Sequence, residues 1–245
     1  MPENEIKFGI VVPCFNEENR IPMKSFGDYC DQNSNFYFLF SDDGSTDHTK
    51  HLLNQAISQR PRQFLMIHSP VNKGKATAVR NGILHLKNKV PCDYYGFLDA
   101  DLAIPLSQLN TMQNTITENP GCDLLVSKRN YSIIPASSSV RSTLSRVYNR
   151  FINMVLPFRF YFKDVQCGCK MIKAPYVEYI FASEFLSKWL FDAEIIFRLH
   201  KLKPFAEIEE VEFEFVHANK DSKVRKRDYV KSLLDLFRLL IKYRI

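Results

Sequence analysis

The stretch that decides the fold is IKFGIVVP, from Ile6 to Pro13, a short and nearly continuous apolar run rich in β-branched residues. A strand that is apolar at almost every position, rather than at every second one, is typical of a parallel sheet that is covered on both faces. The pattern recurs at Phe36–Ser41, Phe64–His68, Tyr94–Leu98 and Asp123–Ser127. The sequence therefore predicts a buried, mostly parallel sheet.

Segments with helical periodicity separate these runs, at Thr46–Gln59, Lys73–Lys87 and Leu106–Glu118. Alternation of strand and helix favours right-handed βαβ units and a doubly wound α/β fold. Ligands of such folds bind beyond the carboxyl ends of the strands. The turns that follow the predicted strands should therefore carry the functional residues.

The pattern changes from residue 129 onward. Apolar and aromatic residues are interleaved with arginines between Val140 and Phe162, and the sequence DVQCGCKMIK follows from Asp164 to Lys173. We expect the latter to form a tight loop turned at Gly168, followed by a helix over Leu190–Lys201, a strand over Glu207–Val216 and a final helix. Because no stretch has a linker composition, we expect one domain over residues 1–245, with halves at 1–128 and 129–245.

The composition indicates a globular protein with a basic end. The 245 residues are 45% hydrophobic and carry a net charge of +6, and from His217 onward nine Lys or Arg face three Asp. Apolar residues recur among these charges, which favours an ordered face that meets an anionic surface over a nucleic-acid-binding arm. No run approaches the roughly 18 apolar residues that span a bilayer, so any membrane contact should be peripheral.

The six cysteines have no framework spacing and no signal-peptide pattern precedes them, so we expect free thiols in a reducing, cytoplasmic compartment. Cys167 and Cys169 form a C-x-C pair, which lacks the second pair of a closed zinc site and differs from the C-x-x-C of thiol oxidoreductases. We expect Cys167 to pack as a small apolar residue.

Two acidic turns are candidates for ligand binding. Asp42 and Asp43 follow a predicted strand, and their oxygens can accept hydrogen bonds from a ribose or a base, whereas capping of the next helix is the favoured role of Ser45, Thr46 and Asp47. In FLDADLAIP, Asp99 and Asp101 stand two positions apart after a strand, so an extended backbone projects both carboxylates to one side. Either they are exposed turn acids, or they hold Mg²⁺ or Mn²⁺ together with substrate phosphates.

A third turn, NKGKATAVRNG from Asn72 to Gly82, opens a predicted helix. Lys75 and the helix N-terminus could bind an anion there, although solvated lysines are equally ordinary. The spacing of a P-loop is absent, and no G-x-G-x-x-G follows the first strand. ATPase and dinucleotide-binding functions are therefore disfavoured.

Taken in order, six motifs resemble those of family 2 glycosyltransferases with the GT-A fold, and are most similar to the dolichyl-phosphate β-glucosyltransferase branch: VVPCFNEE, SDDGSTDHT, NKGKATAVRNG, DADLAIP, DVQCGCKMI and WLFDAEIIFRL. The resemblance runs from Phe8 to about Tyr243. The D-x-Q-C-G-x-K motif looks like the signature of enzymes that place a sugar on a polyprenyl phosphate, although Cys169 stands where that family usually has an aromatic residue.

The resemblance implies a nucleotide-sugar site in the first half of the chain and an acceptor site in the second. Asp99 and Asp101 would hold the metal ion and, with Ala100, the diphosphate. The rest of the nucleotide-sugar site would comprise Pro13, Phe15, Glu17, Asp42, Asp43 and Lys75. The acceptor side would comprise Arg129, either Arg141 or Arg146, and the loop residues Asp164, Gln166, Gly168 and Lys170.

The resemblance also implies inversion, in which the acceptor attacks the anomeric carbon as the nucleotide diphosphate leaves. A phosphate monoester is itself a nucleophile at neutral pH, so such an acceptor needs cations rather than a base. We expect Arg129, Arg141 and Lys170 to supply them. Asp192 and Glu194 would order these cations, or Asp192 would deprotonate a hydroxyl acceptor; an exposed helix face is a simpler explanation for Glu194.

Three alternatives remain open at this point. The donor could be UDP-glucose or GDP-mannose, the acceptor could be a saccharide hydroxyl, and the chain could be a non-catalytic nucleotide-binding scaffold.

The final segment places Val230, Leu233, Leu234, Phe237, Leu240 and Ile241 on one helical face. That face could pack on the core or lie on the cytoplasmic face of an anionic membrane.

Overall fold

The computed structural model describes residues 5–129 and 161–213, together with positions 150, 153, 234–235, 237–239 and 241–243. Arg141 and Arg146, and with them most of the arginine-interleaved segment, lie outside the described residues. The choice between these two arginines therefore stays a prediction.

The fold is organised by one seven-stranded sheet. Its strands are β1 (Phe8–Cys14), β2 (Phe36–Asp42), β3 (Phe64–His68), β4 (Tyr94–Leu98), β5 (Leu124–Arg129), β6 (Cys169–Lys173) and β7 (Ile208–Phe213). The order across the sheet is β3-β2-β1-β4-β6-β5-β7. Strands β1 to β4 are mutually parallel, β7 is parallel to β5, and only β6 runs antiparallel to its neighbours. The predicted doubly wound, mostly parallel sheet is confirmed.

Helices cover both faces of this sheet. They are α1 (Met23–Gln32), α2 (Thr49–Gln59), α3 (Lys75–Lys89), α4 (Ser107–Glu118), α5 (Ala174–Phe181) and α6 (Phe191–Leu202). Side chains of α1, α2 and α4 pack with Ile10 and Val12 of β1, whereas those of α3, α5 and α6 pack in the cluster that contains Val11. Alternate residues of β1 are thus buried in opposite layers, which is why its sequence is apolar throughout.

The predicted loop over Asp164–Lys173 is correct only for its first half. Residues 164–168 form a loop, but Cys169–Lys173 is strand β6, paired with β4 and β5. The strand was missed because Lys170, which is completely buried, breaks the apolar pattern. Because β6 pairs with β4 and β5, both halves of the chain contribute strands to one sheet.

The C-terminal helical positions pack through a face other than the predicted one. Leu239 is buried, and the ring of Tyr243 stacks on Phe197 of α6 with centroids 5.7 Å apart. Three residues of the predicted apolar face are instead exposed, namely Leu234, Phe237 and Ile241, and the other three lie outside the described residues. Within the part of the chain that the structure describes, no helix has both the length and the apolarity needed to cross a bilayer.

The contact between β4 and β6 gives a first test. A Cβ added at Gly96 would overlap the main-chain carbonyl oxygen of Lys170, so the two strands would have to separate. We expect Gly96→Ala to lower the free energy of unfolding by about 3 kcal/mol, measured by urea denaturation. Gly27→Ala is the matched control, because its Cβ meets only the flexible Arg60 side chain, 3.1 Å away. Equal losses in the two variants would contradict the close approach.

Candidate active site

The turns after β1 and β2 are joined by hydrogen bonds. The backbone N–H of Asn16 donates to Oγ of Ser45 over 3.0 Å, and the N–H of Thr46 donates to the side-chain oxygen of Asn16 over 2.8 Å. Ser45 and Thr46 therefore do not cap α2, contrary to expectation. The N-cap residue of α2 is His48, whose side chain makes no cap hydrogen bond, but Oδ1 of Asp47 accepts the N–H of Thr49, the first residue of the helix, over 3.0 Å.

The acidic pair at the carboxyl end of β2, Asp42 and Asp43, is buried, and both carboxylates are fully engaged in hydrogen bonds. Oδ1 of Asp42 accepts the N–H of Ser45 over 3.0 Å, and its Oδ2 lies 2.8 Å from Nδ1 of His68. Asp43 accepts the N–H groups of Lys73 and Gly74 over 2.9 and 2.7 Å. Asp43 thereby fixes the turn that leads into α3.

A cavity of about 210 Å³ opens beyond the carboxyl ends of β2 and β3, and both acids border it with His68, Ser69 and Asn81. Pro13, which is partly exposed, is the last residue but one of the neighbouring strand β1, and that strand is followed by Phe15, which is partly exposed, and Glu17, which is buried. Because parallel strands end at the same sheet edge, these residues and the cavity lie at the ligand-binding edge of the fold.

The two carboxylates after β4 each contact a cation. Nζ of Lys75 forms an ion pair with Oδ1 of Asp99, and Arg20 pairs with Asp101 over 2.6 Å and with Glu17 over 3.4 Å. Burial by itself lowers the pKa of Lys75, but Asp99 and Asp192 outweigh it, so the pKa of Lys75 is raised. Arg20 was not among the site residues predicted from the sequence, although its position three residues after Glu17 indicated a contact between the two side chains.

Asp99 and Asp101 fit the protein's share of a divalent metal site. Their side chains are 37% and 17% exposed, and carboxylate oxygens are the ligands that Mg²⁺ and Mn²⁺ prefer. Among the described residues no cluster of three or more His, Cys, Asp or Glu could hold a metal ion alone. Water molecules and phosphate oxygens of a substrate would complete the coordination.

The loop before β6 touches this acidic pair. A Cβ on Gly168 would overlap Oδ2 of Asp99, so a larger residue here would displace that carboxylate. On the same loop, Asp164 makes a two-pronged pair with Arg129, at 2.6 Å to Nε and 3.0 Å to Nη2. Gln166 donates weakly to the carbonyl oxygen of Trp189 over 3.4 Å.

Lys170 lies behind this loop rather than on its surface. Its fully buried Nζ donates to the carbonyl oxygen of Cys167 over 2.9 Å and to Oδ1 of Asp192 over 2.5 Å. Burial raises the pKa of Asp192, and the charges of Lys170 and Lys75 oppose that rise. In this conformation Lys170 is not accessible to an acceptor phosphate, because it is covered by its own loop; it positions the loop instead.

Glu194 is not on an exposed helix face, as its position in the pattern had indicated. It is completely buried and accepts hydrogen bonds from Arg198, Tyr243 and the N–H of Leu186. Arg198 also donates to the main-chain oxygens of Ile180, Ser183 and Glu184. This pair holds the segment between α5 and α6 and the C-terminal helical positions against each other.

The cysteines are structural in the described fold. All six are buried and free, as expected. Burial raises the pKa of Cys169 to about 12 and that of Cys167 well above its usual range. Neither thiol is therefore poised as a thiolate at neutral pH.

Comparison with known proteins identifies the family. Residues 9–180 match the model of glycosyl transferase family 2, which is well over half of the chain. The chain belongs to this family. It is therefore a glycosyltransferase, and the cavity, the acidic pair and the Gly168 loop are its candidate active site.

Several proteins similar to this chain are dolichyl-phosphate β-glucosyltransferases. The chain is 25% identical to dolichyl-phosphate β-glucosyltransferase ALG5D of Trichomonas vaginalis, over 98% of this chain and 75% of that protein. It is 26% identical to the Saccharomyces cerevisiae enzyme over 98% and 76%, and 27% identical to that of Dictyostelium discoideum over 84% and 66%. The family indicated by the sequence motifs is confirmed, and the chain is similar to members of the branch that the motifs indicated.

Solved structures confirm the GT-A architecture. Glucosyl-3-phosphoglycerate synthase from Mycobacterium tuberculosis, in complex with Mn²⁺, uridine diphosphate and phosphoglyceric acid, superimposes with a TM-score of 0.65 at 16% identity, over 98% of this chain and 78% of that one. Its complex with phosphoglyceric acid gives a TM-score of 0.71 at 15% identity, over 96% and 80%. At this identity the likeness establishes the fold alone.

The contact between Gly168 and Asp99 predicts a local defect. In Gly168→Ala the new methyl group should push the carboxylate of Asp99 away, so we expect Mn²⁺ affinity in the presence of nucleotide to fall roughly tenfold or more. Isothermal titration calorimetry measures this, and Gly27→Ala is the control. Unchanged Mn²⁺ affinity would contradict the role assigned to this contact.

The buried pair Lys170–Asp192 predicts a stability defect that a second change repairs. Lys170→Met leaves Asp192 buried without its partner, which should cost about 4 kcal/mol of unfolding free energy. Adding Asp192→Leu should recover at least half of this loss, because no buried charge then remains. Urea denaturation tests both variants against Lys73→Met at an exposed site. A double variant as unstable as Lys170→Met would contradict the pairing argument.

Proposed function

We propose that this glycosyltransferase moves glucose from UDP-glucose to a polyprenyl phosphate of the dolichyl type, assisted by Mg²⁺ or Mn²⁺. The observation that carries the proposal is the contact of Gly168 with Asp99. It joins the loop that resembles the polyprenyl-phosphate signature to the carboxylate pair that resembles the metal–diphosphate motif. The donor and acceptor parts are thus adjacent in a single site.

The names of similar proteins support both substrates. The relatives from Trichomonas, Saccharomyces and Dictyostelium are dolichyl-phosphate β-glucosyltransferases. The mycobacterial protein of the same fold was solved with Mn²⁺ and uridine diphosphate. A uridine nucleotide, glucose and a lipid phosphate are therefore the substrates to test first.

The arrangement of charges suits a phosphate acceptor. The guanidinium of Arg129 is held by Asp164 but its side chain stays 30% exposed, so it can also donate to a phosphate oxygen. The acceptor phosphate supplies the attacking oxygen, and no proton has to be removed from it. A metal ion bound by Asp99 and Asp101 would neutralise charge on the departing diphosphate. Lys75, paired with Asp99, would add a cation beside the same group.

A hydroxyl acceptor is less well supported, because it needs a general base. Asp192 is the candidate for that role, but its side chain is only 6% exposed and its Oδ1 is held by Lys170. A base must reach the proton that it removes. The phosphate acceptor requires no such group, which further supports the proposal.

Peripheral contact with a membrane belongs to the same proposal. Leu234, Phe237 and Ile241 are 56%, 58% and 78% exposed, and Arg238 and Lys242 lie among them. Exposed apolar side chains with basic neighbours suit the surface of an anionic bilayer. A lipid-linked acceptor would be reached from that surface.

Radiolabelled transfer tests the proposed reaction. Purified protein is incubated with UDP-glucose or GDP-mannose, Mg²⁺ or Mn²⁺, and a short polyprenyl phosphate or a saccharide. We expect labelled lipid from UDP-glucose, and a loss of about 100-fold or more in Asp101→Asn, because charge stabilisation of the leaving group is lost. Asp28→Asn, at an exposed acid of α1, is the control.

Three outcomes of the same assay would refute parts of the proposal. Transfer only to the saccharide would overturn the phosphate acceptor. Preference for GDP-mannose would overturn the donor. Full activity in the presence of EDTA would overturn the role of the metal ion.

A further inference from the structure

The cavity beyond β2 and β3 is bordered by the imidazole of His68 as well as by the carboxylates of Asp42 and Asp43. The side chain of His68, the last residue of β3, is 31% exposed and borders the cavity. Asp42 lies behind it, with a side chain that is 0% exposed and an Oδ2 that is 2.8 Å from Nδ1 of His68. Of these three side chains the imidazole is the most exposed, and the carboxylates of Asp42 and Asp43 already accept hydrogen bonds from the protein, so the imidazole is the group left for a ligand.

Asp42 decides which nitrogen of His68 carries the proton. A carboxylate can only accept hydrogen bonds, so Nδ1 of the imidazole must be the donor in this contact. In the neutral ring Nε2 is then an acceptor. The other oxygen of Asp42 accepts the N–H of Ser45, which fixes the orientation of the carboxylate.

We infer that Nε2 of His68 recognises the N3–H group of a uracil base, with Asp42 as a positioning residue; this inference rests on the proposed uridine-nucleotide donor. Uracil presents a donor at N3 between two carbonyl oxygens, whereas cytosine presents an acceptor at N3. An acceptor on the protein therefore matches uracil and opposes cytosine. His68 becomes a determinant of nucleotide specificity.

Asn81 provides a matching donor on the same cavity. Its side-chain oxygen accepts a hydrogen bond from Arg80 over 3.2 Å, so its amide NH₂ is the group left to offer. An NH₂ donor complements a carbonyl oxygen beside N3 of uracil. Two neighbouring side chains thus present the acceptor and the donor that this edge of uracil requires.

This assignment refines the expectation that Asp42 contacts the uracil or the ribose. Sequence alone favoured the acid because it follows a strand, but folding turns the carboxylate towards Ser45 and His68. A direct contact and an imidazole-mediated contact make different predictions for substitution of His68.

Calorimetric titration of UDP and CDP, each with Mn²⁺, into four proteins tests the inference: the unaltered chain, His68→Ala, His68→Gln and Asp42→Asn. We expect the unaltered chain to prefer UDP. In His68→Ala the UDP affinity should fall roughly tenfold while CDP affinity changes little, because one hydrogen bond specific to uracil is lost. Gln offers a carbonyl acceptor, so His68→Gln should keep part of the preference, and Asp42→Asn should weaken it.

Two controls separate recognition from folding. His51→Ala removes an exposed imidazole on α2 and should leave both affinities unchanged. Thermal unfolding of each variant reports stability, and the UDP-to-CDP affinity ratio is insensitive to a partly unfolded fraction. If His68→Ala does not fold, the ratio in His68→Gln and Asp42→Asn decides the question.

The outcomes distinguish this inference from the proposed function. UDP preference that is unchanged in His68→Ala but lost in Asp42→Asn would show direct recognition by the acid and overturn the inference, while the donor proposal would stand. An unchanged preference in all variants would also overturn it. If the unaltered chain binds neither nucleotide, or prefers CDP, the uridine donor itself is wrong.

Discussion

The insertion of β6 between β4 and β5 is the constraint on which the site depends. Because β6 pairs antiparallel with β4, Cys169 stands opposite Leu98, and the residue before β6 meets the residue after β4. Those residues are Gly168 and Asp99. The sheet thus brings the loop that carries Asp164 to the acidic pair, although about 65 residues separate these segments in the chain. Because β4 and β6 approach each other closely here, a side chain at Gly96 or Gly168 would overlap the facing residue.

Ionic pairing organises the chemistry of the site. Lys75 balances Asp99, Arg20 balances Asp101, and Arg129 is held by Asp164. The pairs of Lys75 with Asp99 and of Arg20 with Asp101 are partly exposed on both sides, so their members can exchange one another for a phosphate group or a cation at modest cost, whereas in the third pair only Arg129 is exposed and Asp164 is buried. The pair of Lys170 with Asp192 differs because it is buried, and such a pair fixes geometry instead of contributing a mobile charge.

The fold was largely predictable, and the site only in part. Apolar runs predicted strands β1 to β5, and the segment Glu207–Val216 predicted β7. Strand β6 was missed because the buried Lys170 interrupts its apolar pattern. The acids at the strand ends were found by their position. Their partners were not: Arg20 and His68 are ordinary residues in the sequence, and their roles arise from contacts across 81 and 26 positions of the chain.

The sequence by itself determined the layered α/β architecture, the free buried thiols and the edge of the sheet where ligands bind, because local periodicity and residue type govern burial. Tertiary structure alone decided which groups face that edge. It turned Asp42 away behind His68, enclosed Lys170 and Glu194, and placed Gly168 against Asp99. The physical reason is that hydrogen-bond and ion-pair partners are chosen by proximity in space, which strand order sets and local sequence does not.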